Sequence, residues 1–283
     1  MCGEMHRGDP AGSGGGARVV VVGKGGVGKS TIAALLARIL ARQGRTVLAV
    51  DADEQMNLGA TLGFGPAAIP VPLTGATEYI EERTGARPGR GAGGMLRLNP
   101  DVSDVAERLG EVGPDGVRLL VMGGVAGAGS GCLCPETSIL AATVRSMRLQ
   151  AGDVVVMDTH AGVEHFGRSL AAGFDQALVV VDPTFNSVKV GADSALLARE
   201  LGIDRLHLVV NRARRPDDLP RALDHLHGLG QGGWDFASVR ALPYDEQALE
   251  ADPSVEVLLA GSRLAGAAAE MAAELIPTEV AAP

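Results

Sequence analysis

Short runs of β-branched and other apolar residues alternate along the chain with longer segments rich in Ala and Leu, in which polar positions recur at helical spacing. The runs VVVM at 154–157 and LVVV at 178–181 contain no polar residue. Continuous apolar runs of this length are typical of strands that are buried on both faces of a parallel sheet. The pattern therefore predicts an α/β fold, a doubly wound and mostly parallel sheet with helices on both faces.

The individual elements follow from the same pattern. The predicted strands are 17–22, 46–51, 95–98, 117–122, 153–158, 176–181 and 206–211. The predicted helices are 30–42, 135–149, 164–172, 187–201, 219–227 and 263–275.

No sharp change in composition divides the chain, so residues 17–276 are expected to form one domain. Residues 64–94 are rich in Pro and Gly and are expected to form a variable insertion. Residues 1–16 and 277–283 are expected to be tails, the first of them disordered.

Net charge, hydropathy and cysteine content limit the kinds of molecule that this protein is expected to bind. The net charge of −9 argues against nucleic-acid binding, because phosphate contacts need a basic face. No apolar stretch approaches the length of a membrane span, and the N-terminus lacks the apolar segment of a signal peptide. Three cysteines in a chain without a secretion signal fit a reducing compartment. We therefore expect a cytoplasmic protein that binds neither nucleic acid nor membrane.

A glycine-rich run after the first predicted strand matches the phosphate-loop pattern G-x-x-x-x-G-K-[ST] and opens a predicted helix. The run consists of Gly23, Lys24, Gly25, Gly26, Val27, Gly28, Lys29, Ser30 and Thr31. Its glycines let backbone N–H groups turn toward phosphates, and the helix N-terminus adds further donors. Lys29 is expected to neutralise the β- and γ-phosphates, and Ser30 to coordinate Mg²⁺. The sequence thus predicts a nucleoside-triphosphate site.

Polar residues at the ends of later strands complete this prediction, because ligands of such sheets gather at the carboxyl edge. Asp158 is expected to hold Mg²⁺, and Gly162 to offer its N–H to the γ-phosphate. Asp53 is the candidate for orienting the attacking water. A carboxylate at a strand end can also be a helix cap, and this alternative remains open for Asp51.

Cys132 and Cys134 are separated by one residue, so in an extended segment both side chains project to the same side. They offer two soft thiolates, half of a four-coordinate metal site. A two-fold homodimer would supply the other half. A pair of structural or redox-active cysteines remains the alternative.

The run GKGGVGKST resembles the deviant Walker A family, which includes septum-site and chromosome-partition ATPases and the nitrogenase iron protein. Together with MGGVAGAGSGCLCPE at 122–136 and MDTHAGVEHFGR at 157–168, it closely resembles the CooC-type ATPases that mature nickel carbon monoxide dehydrogenase. The resemblance extends from about Val19 to beyond Asn211.

This resemblance implies an ATP-hydrolysing homodimer that binds Ni²⁺ or Zn²⁺ through the cysteine pairs, with carbon monoxide dehydrogenase as its client. It also implies that Lys24 crosses the dimer interface to the other subunit's nucleotide, and that Asn211 reads the adenine edge.

Two positions depart from the family pattern. Glu54 begins a segment that more often contains proline, and His160 stands where an acidic residue is common. Either could alter the hydrolysis rate or indicate another nickel enzyme as client.

Two other functions remain open. One is a partition or septum-site type of positioning ATPase without a metal role, although the C-terminal stretch 263–283 lacks the basic amphipathic character that membrane anchoring needs. The other is an iron–sulfur electron carrier, which would use single, well-separated cysteines from each subunit.

Overall fold

The structure is a computed structural model and describes residues 16–85, 104–123, 149–160, 173–230, 234–250 and 253–277. The predicted strand at 95–98 and helix at 164–172 lie outside these ranges, as does the helix at 135–149 apart from its last residue. Of the two predicted tails, only Gly16 and Pro277 lie within them.

The strands, in chain order, are β1 (Ala17–Gly23), β2 (Thr46–Ala52), β3 (Glu111–Val112), β4 (Arg118–Val121), β5 (Asp153–Thr159), β6 (Gln176–Val181), β7 (Arg205–Ala213) and β8 (Ser238–Pro243). The helices are α1 (Lys29–Arg42), α2 (Leu58–Leu62), α3 (Thr77–Thr84), α4 (Val105–Leu109), α5 (Phe185–Glu200), α6 (Asp218–Gly228), α7 (Gln247–Glu250), α8 (Glu256–Leu259) and α9 (Arg263–Leu275).

These strands form one sheet in the order β3-β4-β2-β5-β1-β6-β7-β8. Every pairing is parallel except that of β3 with β4. The central position of β1 places its carboxyl end between the ends of β5 and β6. The predicted doubly wound, mostly parallel sheet is thus confirmed.

Two hydrophobic clusters cover the two faces of the sheet. Neighbouring residues of β1 belong to different clusters: Val20 packs with α5 and α6, and Val21 packs with α1 and α9. This division follows from the alternation of side chains along a strand. It explains why β1 is apolar at every position from 19 to 22, since both of its faces are covered by helices.

The elements that the sequence pattern did not predict are short or lie at a sheet edge. β8 is an edge strand in which partly exposed and exposed positions alternate and only Leu242 is buried, so it lacks the continuous apolar run of the central strands. Residues 64–85 of the predicted insertion are packed into the domain, since Leu73 and Ile80 are fully buried there. Within the described ranges, no helix has the length and apolar character needed to cross a membrane.

A buried arginine ties α1 to three other parts of the chain. Arg38 is 2% exposed, and its Nε donates to Asp115 Oδ2 at 2.5 Å. Its Nη1 donates to the carbonyl oxygen of Leu62 at 3.2 Å and lies 2.5 Å from a carboxylate oxygen of Glu256. These contacts of Arg38, which we call the clamp, hold in place the helix that begins at the phosphate loop.

We expect Arg38→Ala to lower the free energy of unfolding by about 2–4 kcal/mol, because it removes the buried donor that two carboxylates and the carbonyl oxygen of Leu62 share. Arg42 is the matched control, since it pairs with the same two carboxylates but its side chain is 37% exposed. Arg42→Ala should cost less than about 1 kcal/mol. Urea unfolding of both variants measures the difference, and equal losses would contradict the assignment of Arg38 as the clamp.

Candidate nucleotide-binding site

The phosphate loop joins β1 to α1 and requires glycine at both of its ends. Gly23 has φ 141°, and a Cβ there would lie 2.1 Å from the carbonyl oxygen of Val180 in the neighbouring strand. Gly28 precedes α1 with φ 97°, and a Cβ there would lie 2.6 Å from the side-chain nitrogen of Asn211. These two close approaches fix where the loop leaves the sheet and where it enters the helix.

Lys29 is the first residue of α1, and only 6% of it is exposed. Its Nζ donates to the backbone carbonyl of Lys24 at 3.2 Å, so the side chain folds back over its own loop. Burial lowers the pKa of Lys29, while Asp158 and Asp53 oppose that shift. The ammonium is therefore held at the loop with part of its hydration removed, which favours a phosphate ligand.

Asp158 lies at the carboxyl end of β5, opposite Val21 of β1 and Asp51 of β2. It is fully buried, and neither carboxylate oxygen has a hydrogen-bond partner within the described ranges. Burial raises its pKa to about 6, although Ser30 and Lys29 nearby act in the opposite direction. An acceptor-only group beside a hydroxyl suits a hard cation such as Mg²⁺, which prefers oxygen ligands.

Asp51 uses both carboxylate oxygens within the protein. Oδ1 accepts from the backbone N–H of Asp53 at 3.1 Å, and Oδ2 accepts from that of Leu58, at the start of α2, at 2.9 Å. Burial, followed by the charge of Asp158, raises its pKa to about 7. This geometry matches the helix-cap interpretation of Asp51 and shows how it shapes the segment that follows β2.

A cavity of about 340 Å³ opens over the phosphate loop. Its lining residues are Gly25, Gly26, Gly28, Lys29, Ser30, Thr31, Asp53, Gln55, Asn57, His160 and Arg212. Asp53 is partly exposed here, and its Oδ1 accepts from the N–H of Gln55 at 2.8 Å. The structure thus brings the predicted catalytic residues Lys29 and Asp53 to one cavity, with Asp158 buried beneath it.

A second cavity, of about 270 Å³, adjoins the first. Its lining residues are Gly28, Thr31, Asn211, Arg212, Arg214, Pro243, Tyr244, Asp245, Ala248, Leu249 and Leu264. The guanidinium of Arg214 stacks 3.7 Å from the centre of the Tyr244 ring. The lining combines apolar and aromatic side chains, such as Leu264 and Tyr244, with polar ones such as Asn211, a mixture that suits a nucleobase.

Asn211 is 5% exposed, and its side-chain nitrogen donates to the carbonyl oxygen of Val27 at 2.7 Å. It therefore supports the phosphate loop from β7. The prediction that it also reads the adenine edge stays a prediction.

Three predicted site residues, Gly162, Cys132 and Cys134, lie outside the described residues. Within the described ranges, no group of three or more His, Cys, Asp or Glu residues could hold a metal ion. The chain that leads to the cysteines leaves the sheet beside β2. The backbone N–H of Met122 donates to the carbonyl oxygen of Asp51 at 2.8 Å.

Four residues that line the cavities, Gln55, Asn57, Arg212 and Tyr244, were not predicted from the sequence. Arg212 directly follows Asn211, so the same strand end was the available signal. Tyr244 follows β8. Polar residues stand at alternate positions in the first part of this strand, so neither the strand nor its carboxyl end was predicted.

Comparison with known proteins identifies the family of this chain. The family described as the CobQ/CobB/MinD/ParA nucleotide binding domain matches residues 19–255. An uncharacterized ATP-binding protein of Methanocaldococcus jannaschii is 36% identical over 83% of this chain and 88% of its own length. The carbon monoxide dehydrogenase accessory protein CooC of Rhodospirillum rubrum is 35% identical over 83% of this chain and 86% of its own.

Solved structures show the same fold. The cell division protein MinD of Aquifex aeolicus aligns with a TM-score of 0.65 at 19% identity, covering 93% of this chain and 98% of its own. The cell division ATPase MinD of Pyrococcus furiosus aligns with a TM-score of 0.61 at 25% identity, covering 92% of this chain and 98% of its own.

The unpaired Asp158 carboxylate generates a pH prediction. Its folded-state pKa of about 6 exceeds the ordinary value of 3.8, so between these two pH values the folded protein retains a proton that the unfolded chain has released. The contribution of Asp158 to stability therefore falls as the pH rises through this window. Asp158→Asn should raise the unfolding free energy of the nucleotide-free protein at pH 7.5 by about 1–3 kcal/mol, but have little effect near pH 4.

Urea unfolding at both pH values measures this effect, with the exposed Asp204→Asn as a control that should change neither value. The same Asp158 variant should lose the added stability that Mg-ATP gives the parent protein. An Asp158→Asn variant that is less stable than the parent at pH 7.5 would contradict the assignment.

Proposed function

Since the chain belongs to the CobQ/CobB/MinD/ParA nucleotide-binding family, we propose that it is an ATP-driven accessory protein that handles Ni²⁺ or Zn²⁺ during maturation of carbon monoxide dehydrogenase. It is an ATPase of this family. The observation that carries the finer proposal is its 35% identity, over most of both chains, with the accessory protein CooC of Rhodospirillum rubrum.

The site has groups for each part of phosphoryl transfer to water. The buried ammonium of Lys29 and the N–H groups of the phosphate loop neutralise the β- and γ-phosphates, and Gly162 adds its N–H to the γ-phosphate. Asp158 and Ser30 hold Mg²⁺, which, when bound, spreads the charge that develops on the phosphate oxygens. Asp53, a partly exposed residue of the cavity lining, orients the attacking water. Asn211 contacts the adenine edge.

Lys24 acts between subunits in this proposal. Its backbone carbonyl accepts a hydrogen bond from Lys29, and the residue is partly exposed. Such a residue is anchored at its backbone and can extend a compact cation to a second nucleotide across a homodimer interface. ATP in each subunit then favours the closed dimer, because each γ-phosphate gains a cation from the other subunit.

Closure brings Cys132 and Cys134 of the two subunits together as four thiolates around one Ni²⁺ or Zn²⁺ ion. The hydrogen bond from Met122 to Asp51 supports the link between the two sites, because Asp51 also shapes the segment that carries Asp53. A change in the phosphate cavity can therefore move the chain that leads to the cysteines. ATP can favour metal binding only as far as it favours closure.

The packing of α9 supports this proposal over a membrane-bound positioning ATPase. Its apolar residues Leu264, Ala268, Met271 and Leu275 are buried in the domain core. They are consequently not available as the apolar face of a membrane-binding helix.

We expect Lys24→Ala to abolish ATP-dependent dimerisation and to lower the rate of hydrolysis by up to about 10³-fold, because the cross-subunit cation is lost. Lys189→Ala is the matched control, because Lys189 is the remaining lysine of the chain besides Lys24 and Lys29. It is exposed on α5, where it forms an ion pair with Asp193. Light scattering after gel filtration, with a non-hydrolysable ATP analogue, measures the subunit number. A Lys24→Ala protein that still dimerises with ATP would refute this role.

The metal role is tested by replacing both cysteines of the pair. The Cys132→Ser, Cys134→Ser double variant should bind ATP as the parent does but lose the stoichiometric binding of Ni²⁺ or Zn²⁺, because serine hydroxyls do not replace soft thiolates. Titration calorimetry with each metal, with and without the ATP analogue, gives the metal-to-dimer ratio.

Cys2→Ser controls for general thiol loss, since Cys2 is the third cysteine of the chain and should not affect the ratio. Unchanged metal affinity in the double variant would show that the cysteine pair is not the metal site.

A further inference from the structure

The two cavities of the site share three residues, Gly28, Thr31 and Arg212. Gly28 and Thr31 belong to the end of the phosphate loop and the first turn of α1. The junction is therefore the place where a nucleotide passes from its phosphates to its ribose and base. Arg212 contributes the positive side chain there.

A β-bulge places Arg212 at this junction. Val210 of β7 pairs with Ala241 of β8, but the next paired residues are Ala213 and Pro243, so β7 has one more residue than its neighbour across this interval. Arg212 lies within the bulge with φ 58°, in the left-handed region. An arginine in this conformation is strained relative to an ordinary strand conformation. Bulges of this kind redirect side chains and are frequent beside active sites.

The guanidinium of Arg212 is exposed and makes no hydrogen bond or ion pair with another residue in the described part of the chain. Its neighbours differ in this respect. Arg214 stacks on Tyr244, and Arg221 pairs with Asp218 at 2.6 Å. The strained conformation of Arg212 is thus not compensated by a hydrogen bond or an ion pair of its guanidinium within the described structure.

We infer that Arg212 binds the α-phosphate of the nucleotide and so positions the nucleotide between the two cavities. The planar guanidinium presents paired donors that match two phosphate oxygens. The α-phosphate is the phosphate nearest the ribose, as the shared lining by Thr31 and Arg212 requires. This inference rests on nucleotide binding alone, and it holds whether or not the protein handles a metal.

The test compares Arg212→Ala, Arg212→Lys and Arg212→Gly with the control Arg215→Ala, because Arg215 is exposed and lines neither cavity. Titration calorimetry with Mg-ADP and with a non-hydrolysable Mg-ATP analogue should show that Arg212→Ala weakens both by about 10- to 100-fold. The two losses should be equal, since both ligands carry the α-phosphate. Arg212→Lys should recover part of the affinity, and Arg215→Ala should match the parent.

A stability measurement separates binding from a structural role. In the nucleotide-free protein, Arg212→Gly should unfold at the same temperature as the parent or higher, because glycine adopts φ 58° without strain. A lower unfolding temperature for Arg212→Gly, unchanged ADP affinity in Arg212→Ala, or a loss confined to the ATP analogue would each overturn the inference. Failure of the metal proposal would appear instead as unchanged metal binding in the cysteine variant, with ADP affinity unaffected.

Discussion

Two buried charges of opposite sign, kept apart within one site, are the constraint on which the rest of this structure depends. Lys29 bonds to a backbone carbonyl rather than to a carboxylate, and Asp158 has no hydrogen-bond partner in the described structure. Burial shifts the pKa of each toward its neutral form. The parallel pairing of β1 with β5 holds both groups in place, because it sets Asp158 beside Val21 just before the phosphate loop. The fold thus maintains an arrangement that is unfavourable without a ligand and that a phosphate together with a cation would relieve.

The central part of the fold could be predicted from the sequence because its physical cause is local. Strands buried on both faces must be apolar throughout, and the predicted strands at 17–22, 153–158 and 176–181 agree with β1, β5 and β6 to within a residue. β8 escaped prediction because an edge strand tolerates polar residues at alternate positions. The short helices α2, α7 and α8 escaped because four or five residues show too little periodicity.

The same distinction applies to the site. The phosphate loop is contiguous in the sequence, so its composition and order were enough to identify it. Arg212 and Tyr244 depend on a bulge and on the end of an edge strand, and both are results of pairing between distant segments. The sequence left two roles open for Asp51, a helix cap and a ligand-binding carboxylate. The structure shows that its two oxygens accept hydrogen bonds from two backbone N–H groups, which matches the first role. A single sequence does not show which distant segments lie in contact, so residues that depend on such contacts could not be predicted from it.

The packing of α9 on α1 has a consequence for biosynthesis. The helix α1, which follows the phosphate loop, precedes most of the domain in the chain, but its apolar face is covered by residues of α9, among them Leu264 and Met271. A nascent chain that emerges from the ribosome therefore exposes the apolar face of α1 until nearly all of the domain has been translated. Shielding by a chaperone during this interval would limit aggregation, and release of a chain shortened before α9 would leave that surface permanently uncovered.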